Sequence, residues 1–542
     1  MAHATARPPM LDAESCARAL ASRDPRFDGV FFVGISSTMI YCRPVCPARV
    51  AYPDRRRFFA SAAAAEHDGF RPCLRCRPEL APGRALVDAV PRVARAAAMR
   101  IAAGALNGRG VGRLAEELGV GERQLRRAMD RELGVSPLEL AQTHRLLLAK
   151  CLLTDTPLPV TRVAFASGFQ SLRRFNTAFR EHYRMSPSAL RQRRAAAHAD
   201  GAGPAADLVR LTLSYRPPLA WDALLQRLTA EAIPGIELVE RSRYTRTVRL
   251  DGYRGIVSVE RAVWSEASRR LRGASAHRVA GAGPGGELAV HLSASLLPAL
   301  MPLLARLRQL CDLDAEPAVI DAHLRDGGLG RMVARRPGLR MPGAFDGFEA
   351  ATRELLRDGL AGRVAEALGE TLETGLPGLV RLGPSAERVA DAGAQSLARL
   401  GVPGRSAESI AAVARAVVDG VLRLEPGADV PSTLETLTEI AGIGEGAATA
   451  IVMRALRWPD AFDPADRPLQ RAAGVAGARA LLRLAERWRP WRAYAAAHLS
   501  LLSSAPAPRG MHASPASRFA TDRDAAARHG RLYPEPGGGH RA

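Results

Sequence analysis

Four cysteines carry the most definite chemistry in the chain. They are spaced Cys42-x3-Cys46-x26-Cys73-x2-Cys76, two close pairs separated by a long excursion. Two pairs of soft sulfur ligands are what closes a tetrahedral zinc site, and such a site can hold together a segment with little core. The metal also keeps sulfur deprotonated near neutral pH, so an accessible thiolate there is a nucleophile as well as a ligand. Seven cysteines among 542 residues are too few for a secreted disulfide scaffold, and four of them fall within 35 residues. The expected cofactor is one zinc ion, structural and thiolate-activating, with Cys42, Cys46, Cys73 and Cys76 as ligands. Arg43, Arg49, Arg71 and Arg75 lie near the ligands, as phosphate contacts or as solvated charge.

Helical elements must surround this site on its C-terminal side. From Val111 the run VGRLAEELGVGERQLRRAMDRELGVSP reads as a short helix, a turn at Gly119 and an Arg-rich second helix with a Ser-Pro stop. That is the pattern of a helix that enters the major groove. After a connecting helix (Pro137 to Thr154) comes a second unit: Val160 to Ser167, a turn at Gly168, then Gln170 to Tyr183, closed by Met185-Ser186-Pro187. Farther on, Tyr244 to Leu250, Gly255 to Val259 and Leu288 to Leu292 are strand-like, and Gly281 to Gly286 (GAGPGG) is a loop among them. Beyond about Pro298 apolar residues recur at three- and four-residue spacing, which predicts helices. Within that part Leu434 to Ala450 (LETLTEIAGIGEGAATA) predicts two helices joined by a tight turn containing Gly442 and Gly444. A Gly-x-Gly there lets backbones approach closely, and exposed amides at the second helix's start can hold a DNA phosphate.

The charge balance names the class of partner. Lys and Arg number 76 against 55 Asp and Glu, a net +21. Arg84 to Ala195 has 20 basic and 9 acidic residues, so it carries +11 of that excess. A concentrated positive charge favours a polyanion, here double-stranded DNA. No apolar run approaches the ~20 residues of a membrane span, and the Met1 to Asp12 start lacks the apolar core of a secretory signal. A cytoplasmic, nucleoid-associated location with no membrane partner is expected.

Phe31 to Arg49 (FFVGISSTMIYCRPVCPAR) and Gly69 to Glu79 (GFRPCLRCRPE) resemble the zinc domain of Ada-type regulators, which respond to methylated DNA. The resemblance implies that Cys42 takes a methyl group irreversibly from a DNA phosphotriester. Ala164 to Arg191 fits AxxxGFxSxxxFxxxFxxxxxxSPxxxR, the mark of the AraC/XylS DNA-binding domain. By position Arg123, Gln124, Arg126 and Arg127 then face one groove, and Gln170, Ser171, Arg173, Arg174 and Asn176 the next. About half of these should be positioning contacts. RNA polymerase is the protein partner such a regulator implies.

Leu208 to Leu502 resembles AlkA-type alkylbase DNA glycosylases of the helix-hairpin-helix superfamily. The likeness rests on the hairpin, on Phe462-Asp463-Pro464-Ala465-Asp466, on Arg487 to Tyr494 (RWRPWRAY) and on Gly338 to Gly343 (GLRMPG). It implies that Asp466 stabilises the developing cationic sugar or activates water while a flipped base leaves; as an isolated residue Asp466 also reads as a helix cap. Met341 takes the place of the family's intercalating wedge, with core packing as its other reading. Two departures stand out, and one feature of bifunctional relatives, a Schiff-base lysine, is also missing, which argues against a lyase step. The aligned stacking positions are Gly446, Ala450 and Ser500, none aromatic; the lyase lysine position is Gly446; and Arg357-Asp358 replaces the usual Gly-Gln. With no Cys after Cys311, no iron–sulfur cluster is expected. The Pro-Cys-His-Arg motif of an alkylguanine acceptor does not occur.

The expected architecture is multidomain and mainly α. A zinc-bound α/β domain (10–83) precedes an all-α double helix-turn-helix (84–195), a β-rich α+β domain (207–298), an all-α helix-hairpin-helix glycosylase fold (299–503) and a disordered tail (504–542). The expected function is a methylation-responsive transcriptional activator fused to a monofunctional glycosylase that excises alkylated bases of the 3-methyladenine type. The alternative is a regulator whose glycosylase half is weak or inactive and serves as a DNA-binding module.

Overall fold

The computed structural model describes residues 12–48, 51–82, 92–195, 208–262, 286–356 and 359–503. The tail 504–542, Arg49, Arg357-Asp358 and residues 281–285 of the GAGPGG loop lie outside them. Among the described residues no helix is long and apolar enough to cross a membrane.

The N-terminal part is a four-stranded sheet flanked by helices α1 (Ala13–Ser22) and α2 (Ala62–His67). Its strands are β1 (Phe32–Ile35), β2 (Ile40–Cys42), β3 (Arg56–Phe59) and β4 (Arg71–Pro72), in the order β3-β1-β2-β4. β2 and β4 pair in parallel, with Tyr41 opposite Pro72. Because parallel strands end at the same edge, Cys42 at the end of β2 and Cys73 just past β4 leave the sheet side by side. The Cys73 N–H donates to the Tyr41 carbonyl at 3.0 Å, which fixes that register. Gly34 in β1 is required by packing, since a Cβ there would lie 2.7 Å from the rings of both Phe59 and Phe70.

Seven helices follow: α3 (Arg92–Ala102), α4 (Val111–Glu117), α5 (Glu122–Leu133), α6 (Pro137–Asp155), α7 (Val160–Ala166), α8 (Leu172–Tyr183) and α9 (Pro187–Ala195). They bear out both predicted helix-turn-helix units. Ser136 starts the connecting helix α6 with a full capping box, its side chain bonding the Glu139 N–H and Glu139 returning to the Ser136 N–H. The first unit has its own core around Ile101, Leu114, Leu125 and Met129. The second unit does not: Phe169, Phe175, Phe179 and Tyr183 belong to a core that continues into the next sheet.

That sheet is antiparallel, order β5-β9-β8-β7-β6, with β5 (Leu208–Ser214), β6 (Glu237–Glu240), β7 (Arg243–Leu250), β8 (Tyr253–Arg261) and β9 (Glu287–Ser293). Helix α10 (Trp221–Ala230) carries the fully buried Trp221. The three strand-like runs become β7, β8 and β9; β5 and β6 were not evident from pattern alone. Among the described residues from Leu300 to Ser503 the elements are helices apart from a two-residue strand pair, Glu370–Thr371 with Arg381–Leu382, and they fold around two further cores.

Candidate metal centre and nucleic-acid interface

The four cysteines meet. Cys42, Cys46, Cys73 and Cys76 are all buried and free of disulfides, and their sulfurs lie within 4.8 Å of one another. Tetrahedral zinc with ~2.3 Å bonds to sulfur needs sulfurs about 3.8 Å apart, so this donor set fits the ion. Backbone N–H groups serve two of the four sulfurs: Arg43 donates to Cys76 and Arg75 to Cys73, each at 3.4 Å. Among the described residues no backbone N–H donates to Cys42 Sγ. An N–H bond withdraws electron density from a thiolate, so Cys73 and Cys76 are damped in a way that Cys42 and Cys46 are not.

The nearby arginines divide. Arg43 is no free surface charge: its side chain, 11% exposed, forms a bidentate ion pair with Asp28, and its Nη1 donates to the Cys76 carbonyl at 3.2 Å. It braces the metal loop, its donors taken by Asp28 and the Cys76 carbonyl. Arg75 is exposed and Arg71 half-exposed, so both remain available.

Two buried polar junctions, which sequence reasoning missed, tie this domain to the helix-turn-helix. At the first, Tyr41 Oη donates to Glu66 at 2.8 Å, Thr143 of α6 donates to the same carboxylate, and His182 Nε2 of α8 lies 3.1 Å from it. At the second, Glu79 is gripped by Arg77 (2.9 Å) and by Lys150 of α6 (2.5 Å), while Arg77 reaches Asp155 at 2.7 Å. Tyr41, Arg77 and Glu79 stand inside or beside the cysteine motifs, and that adjacency was the available signal.

The candidate DNA contacts lie mostly on open faces. Arg123, Gln124, Arg126 and Arg127 are exposed on α5, where Arg126 also pairs with Glu122 at 2.6 Å. On the second unit Gln170, Arg173 and Arg174 are exposed, and Asn176 is half-buried. Ser171 is the N-cap of α8, accepting the Arg174 N–H at 3.4 Å.

The hairpin joins helix Val430–Glu439 to helix Glu445–Ala455. Gly442 takes φ +93°, and a Cβ there would lie 2.3 Å from Ser409 Oγ; Gly444 is the exposed N-cap with nothing near its Cβ position. The open cap leaves its amides free for an anion. Asp466 is the exposed N-cap of helix Arg467–Ala472. Its Oδ1 accepts the Leu469 N–H at 2.9 Å, and among the described residues Oδ2 has no donor. The cap therefore aims the carboxylate and leaves one oxygen free. Both readings of this residue are compatible.

Three family profiles match in chain order: "Metal binding domain of Ada" over 15–79, "Helix-turn-helix domain" over 114–193 and "AlkA N-terminal domain" over 210–346. The chain is 37% identical over 501 residues to a Mycobacterium tuberculosis (strain CDC 1551 / Oshkosh) protein named "Probable bifunctional transcriptional activator/DNA repair enzyme AlkA", covering 90% of this chain and 96% of that one. The chain belongs to this family of fused Ada-type and AlkA-type proteins. It is also 33% identical to "DNA-3-methyladenine glycosylase 2" of Escherichia coli (strain K12), over 53% of this chain and 95% of that enzyme. Over 64 residues it is 45% identical to "Bifunctional transcriptional activator/DNA repair enzyme Ada" of the same organism, 12% of this chain and 18% of that protein.

Against that AlkA-type background two positions differ in kind. Met341 is only 5% exposed and packs in the core with Leu324, Trp488 and Tyr494. This is the environment of a packing residue, and a wedge would have to leave it. At Gly446 a Cβ would lie 2.7 Å from Asp463 Oδ2, so a carboxylate occupies the space where a ring or a lysine at 446 would begin. Ala450 lies one turn along the same helix and Ser500 is exposed, its hydroxyl donating to the Ala496 carbonyl at 2.9 Å.

Proposed function

We propose that this protein is a methylation-responsive transcriptional activator fused to a monofunctional DNA glycosylase, and that Cys42 and Asp466 are the reacting residues of its two halves. The observation that carries the reading is the buried four-sulfur cluster, in which no backbone N–H among the described residues donates to Cys42. A divalent metal held by Cys42, Cys46, Cys73 and Cys76 supplies the charge that keeps sulfur deprotonated. Cys42 Sγ attacks the methyl carbon of a DNA phosphotriester; a carbon–sulfur bond forms, the carbon–oxygen bond breaks, and the phosphodiester leaves as an anion. One negative charge is lost from the site, which reduces its repulsion from DNA phosphates. Arg71 and Arg75 hold the phosphate, α5 and α8 read two successive grooves, and RNA polymerase is the partner at the promoter, in the cytoplasm on the nucleoid.

In the second half the hairpin amides at Gly444 hold a phosphate beside the lesion. The free oxygen of Asp466 stabilises the positive charge that develops on the sugar as an alkylated base of the 3-methyladenine type departs. Gly446 in place of a lysine excludes a Schiff-base step at that position. The chain segments 10–83, 84–195, 207–298 and 299–503 are the working units.

A second reading is favoured by one observation, the carboxylate of Asp463 where a stacking ring would stand. Stacking is worth ~1–3 kcal/mol per base, and its loss would leave a half that binds DNA without excising. One experiment separates the two. Purified protein is incubated with methylated duplex DNA, and released bases and methyl groups on protein are both counted for the wild type, Asp466→Asn and Cys42→Ala. Base release abolished by Asp466→Asn and methyl uptake abolished by Cys42→Ala are expected. No base release by the wild type would establish the binding module, and full uptake by Cys42→Ala would remove Cys42 as acceptor.

A further inference from the structure

Lys150 is the only lysine in the sequence; every other member of the 76 basic residues is arginine. It is 1% exposed, in the last turns of α6. Its Nζ donates to the carbonyl of the ligand Cys73 at 3.1 Å and to Glu79 Oε2 at 2.5 Å. An ammonium is a compact charge with donors in three directions, so it can serve a backbone carbonyl and a carboxylate in a space that a planar guanidinium does not fit. Burying it costs several kcal/mol unless it is paired, and Glu79 supplies the pairing. Glu79 is shared with Arg77, which returns to Thr154 and Asp155 of α6 at 3.0 and 2.7 Å. The last turns of α6 are thus clamped to the cysteine loop and to the segment that follows the fourth cysteine by a buried set of paired charges.

We propose that Lys150 is a positioning residue for the methyl acceptor, and that it links the charge of the four-sulfur site to the helix joining the two helix-turn-helix units. The inference rests on the methyl-acceptor reading above. Four thiolates around a divalent cation carry two negative charges, and the Lys150 ammonium, bonded to the carbonyl of the ligand Cys73, is a buried cation beside them on α6. One methyl on Cys42 halves that charge. The attraction that docks α6 weakens with it, in a low-dielectric setting where charge changes are felt most. By linkage, whatever the change does to α6, the docking of α6 does in return to the acceptor.

A single lysine makes the test direct. Full-length protein grown with lysine labelled at the ζ nitrogen has one ammonium resonance to follow. It is titrated with a synthetic duplex carrying a methyl phosphotriester, with the unmethylated duplex alongside, and methyl uptake is read by intact mass. The expected result is a new ammonium resonance that grows in proportion to the mass gain and does not appear with unmethylated duplex. Amide exchange over residues 150–155 should rise on methylation by at least ~5-fold, the low end of ordinary coupling between sites, and Lys150→Met should lose that rise. Mass gain with an unmoved resonance overturns this inference alone. No mass gain overturns the acceptor reading and this one with it.

Discussion

At the scale of single residues the chemistry turns on which atoms are left without partners. Gly442 and Gly444 look alike in sequence and have opposite tolerances. Gly442→Ala forces a side chain into φ +93° and to within 2.3 Å of Ser409 Oγ, so it should destabilise the hairpin by on the order of 1–3 kcal/mol. Gly444→Ala, at φ −85° with open space, should leave the melting temperature unchanged and cost only DNA affinity. Denaturant melts and duplex binding on the two variants check this, and equal destabilisation would contradict it. The pocket makes a second prediction. Gly446→Trp alone should not restore base stacking, because Asp463 holds the space; Gly446→Trp with Asp463→Ala should raise release of alkylated bases over either single variant, measured by base counting. His498 makes a third. It is buried, and burial followed by the charge of Arg336 holds its pKa down at about 4. Unfolded histidine titrates near 6.5. Between those values the unfolded chain takes a proton that the folded one refuses, so this contribution to stability is whole above pH 6.5 and lost as pH falls toward 4, at up to ~1.4 kcal/mol per unit. His498→Leu should flatten the fall in melting temperature between pH 7 and 4.5.

At the scale of elements, parallel pairing of β2 with β4 explains why cysteines 31 positions apart become neighbours. The Glu66 junction explains why the sheet sits against α6 and α8. Glu66→Leu leaves the Tyr41 and Thr143 hydroxyls buried without an acceptor, and should cost on the order of 2–4 kcal/mol in denaturant unfolding. Glu66→Gln, which keeps an acceptor, should cost less. These elements also show what could be read in advance. The cysteine spacing, both helix-turn-helix units and the hairpin were legible because each depends on local signals: ligand spacing, Ser-Pro caps and glycine turns. Strand β5 was not, since Leu208–Ser214 pairs with Glu287–Ser293 far along the chain, and β6 was not because the two-residue turn that joins it to β7, Arg241-Ser242, places Arg241 at φ +55° without a glycine or asparagine to mark it. The role of Arg43 is likewise hidden in the sequence. Its partner Asp28 lies on another segment, and a basic residue beside a ligand looks like a phosphate contact until its neighbour is known.

At the scale of the whole molecule the cores do not follow the segments. A single apolar cluster runs from Leu146, Phe169, Phe175 and Phe179 of the second helix-turn-helix unit through Leu211 and Val290 of the sheet to Leu296, Leu300 and Leu303. The first unit keeps a separate core around Leu125 and Met129. A shared core means that removing either side exposes apolar surface on the other, at ~25 cal/mol per Å². The regulator and the enzyme halves should therefore not unfold independently. In native-state amide exchange with rising denaturant, α8 and strands β5, β8 and β9 should open together with one free energy and one denaturant slope, while α3 to α5 open separately at lower denaturant. Phe175→Ala, buried entirely on the regulator side, should lower the opening free energy of β9 as much as that of α8, by ~3–5 kcal/mol. If β9 keeps its protection while α8 loses it, the two halves are merely docked. If both fall together, damage sensing and base excision are carried on one cooperative body, and a lesion in the core of one activity costs the cell the other.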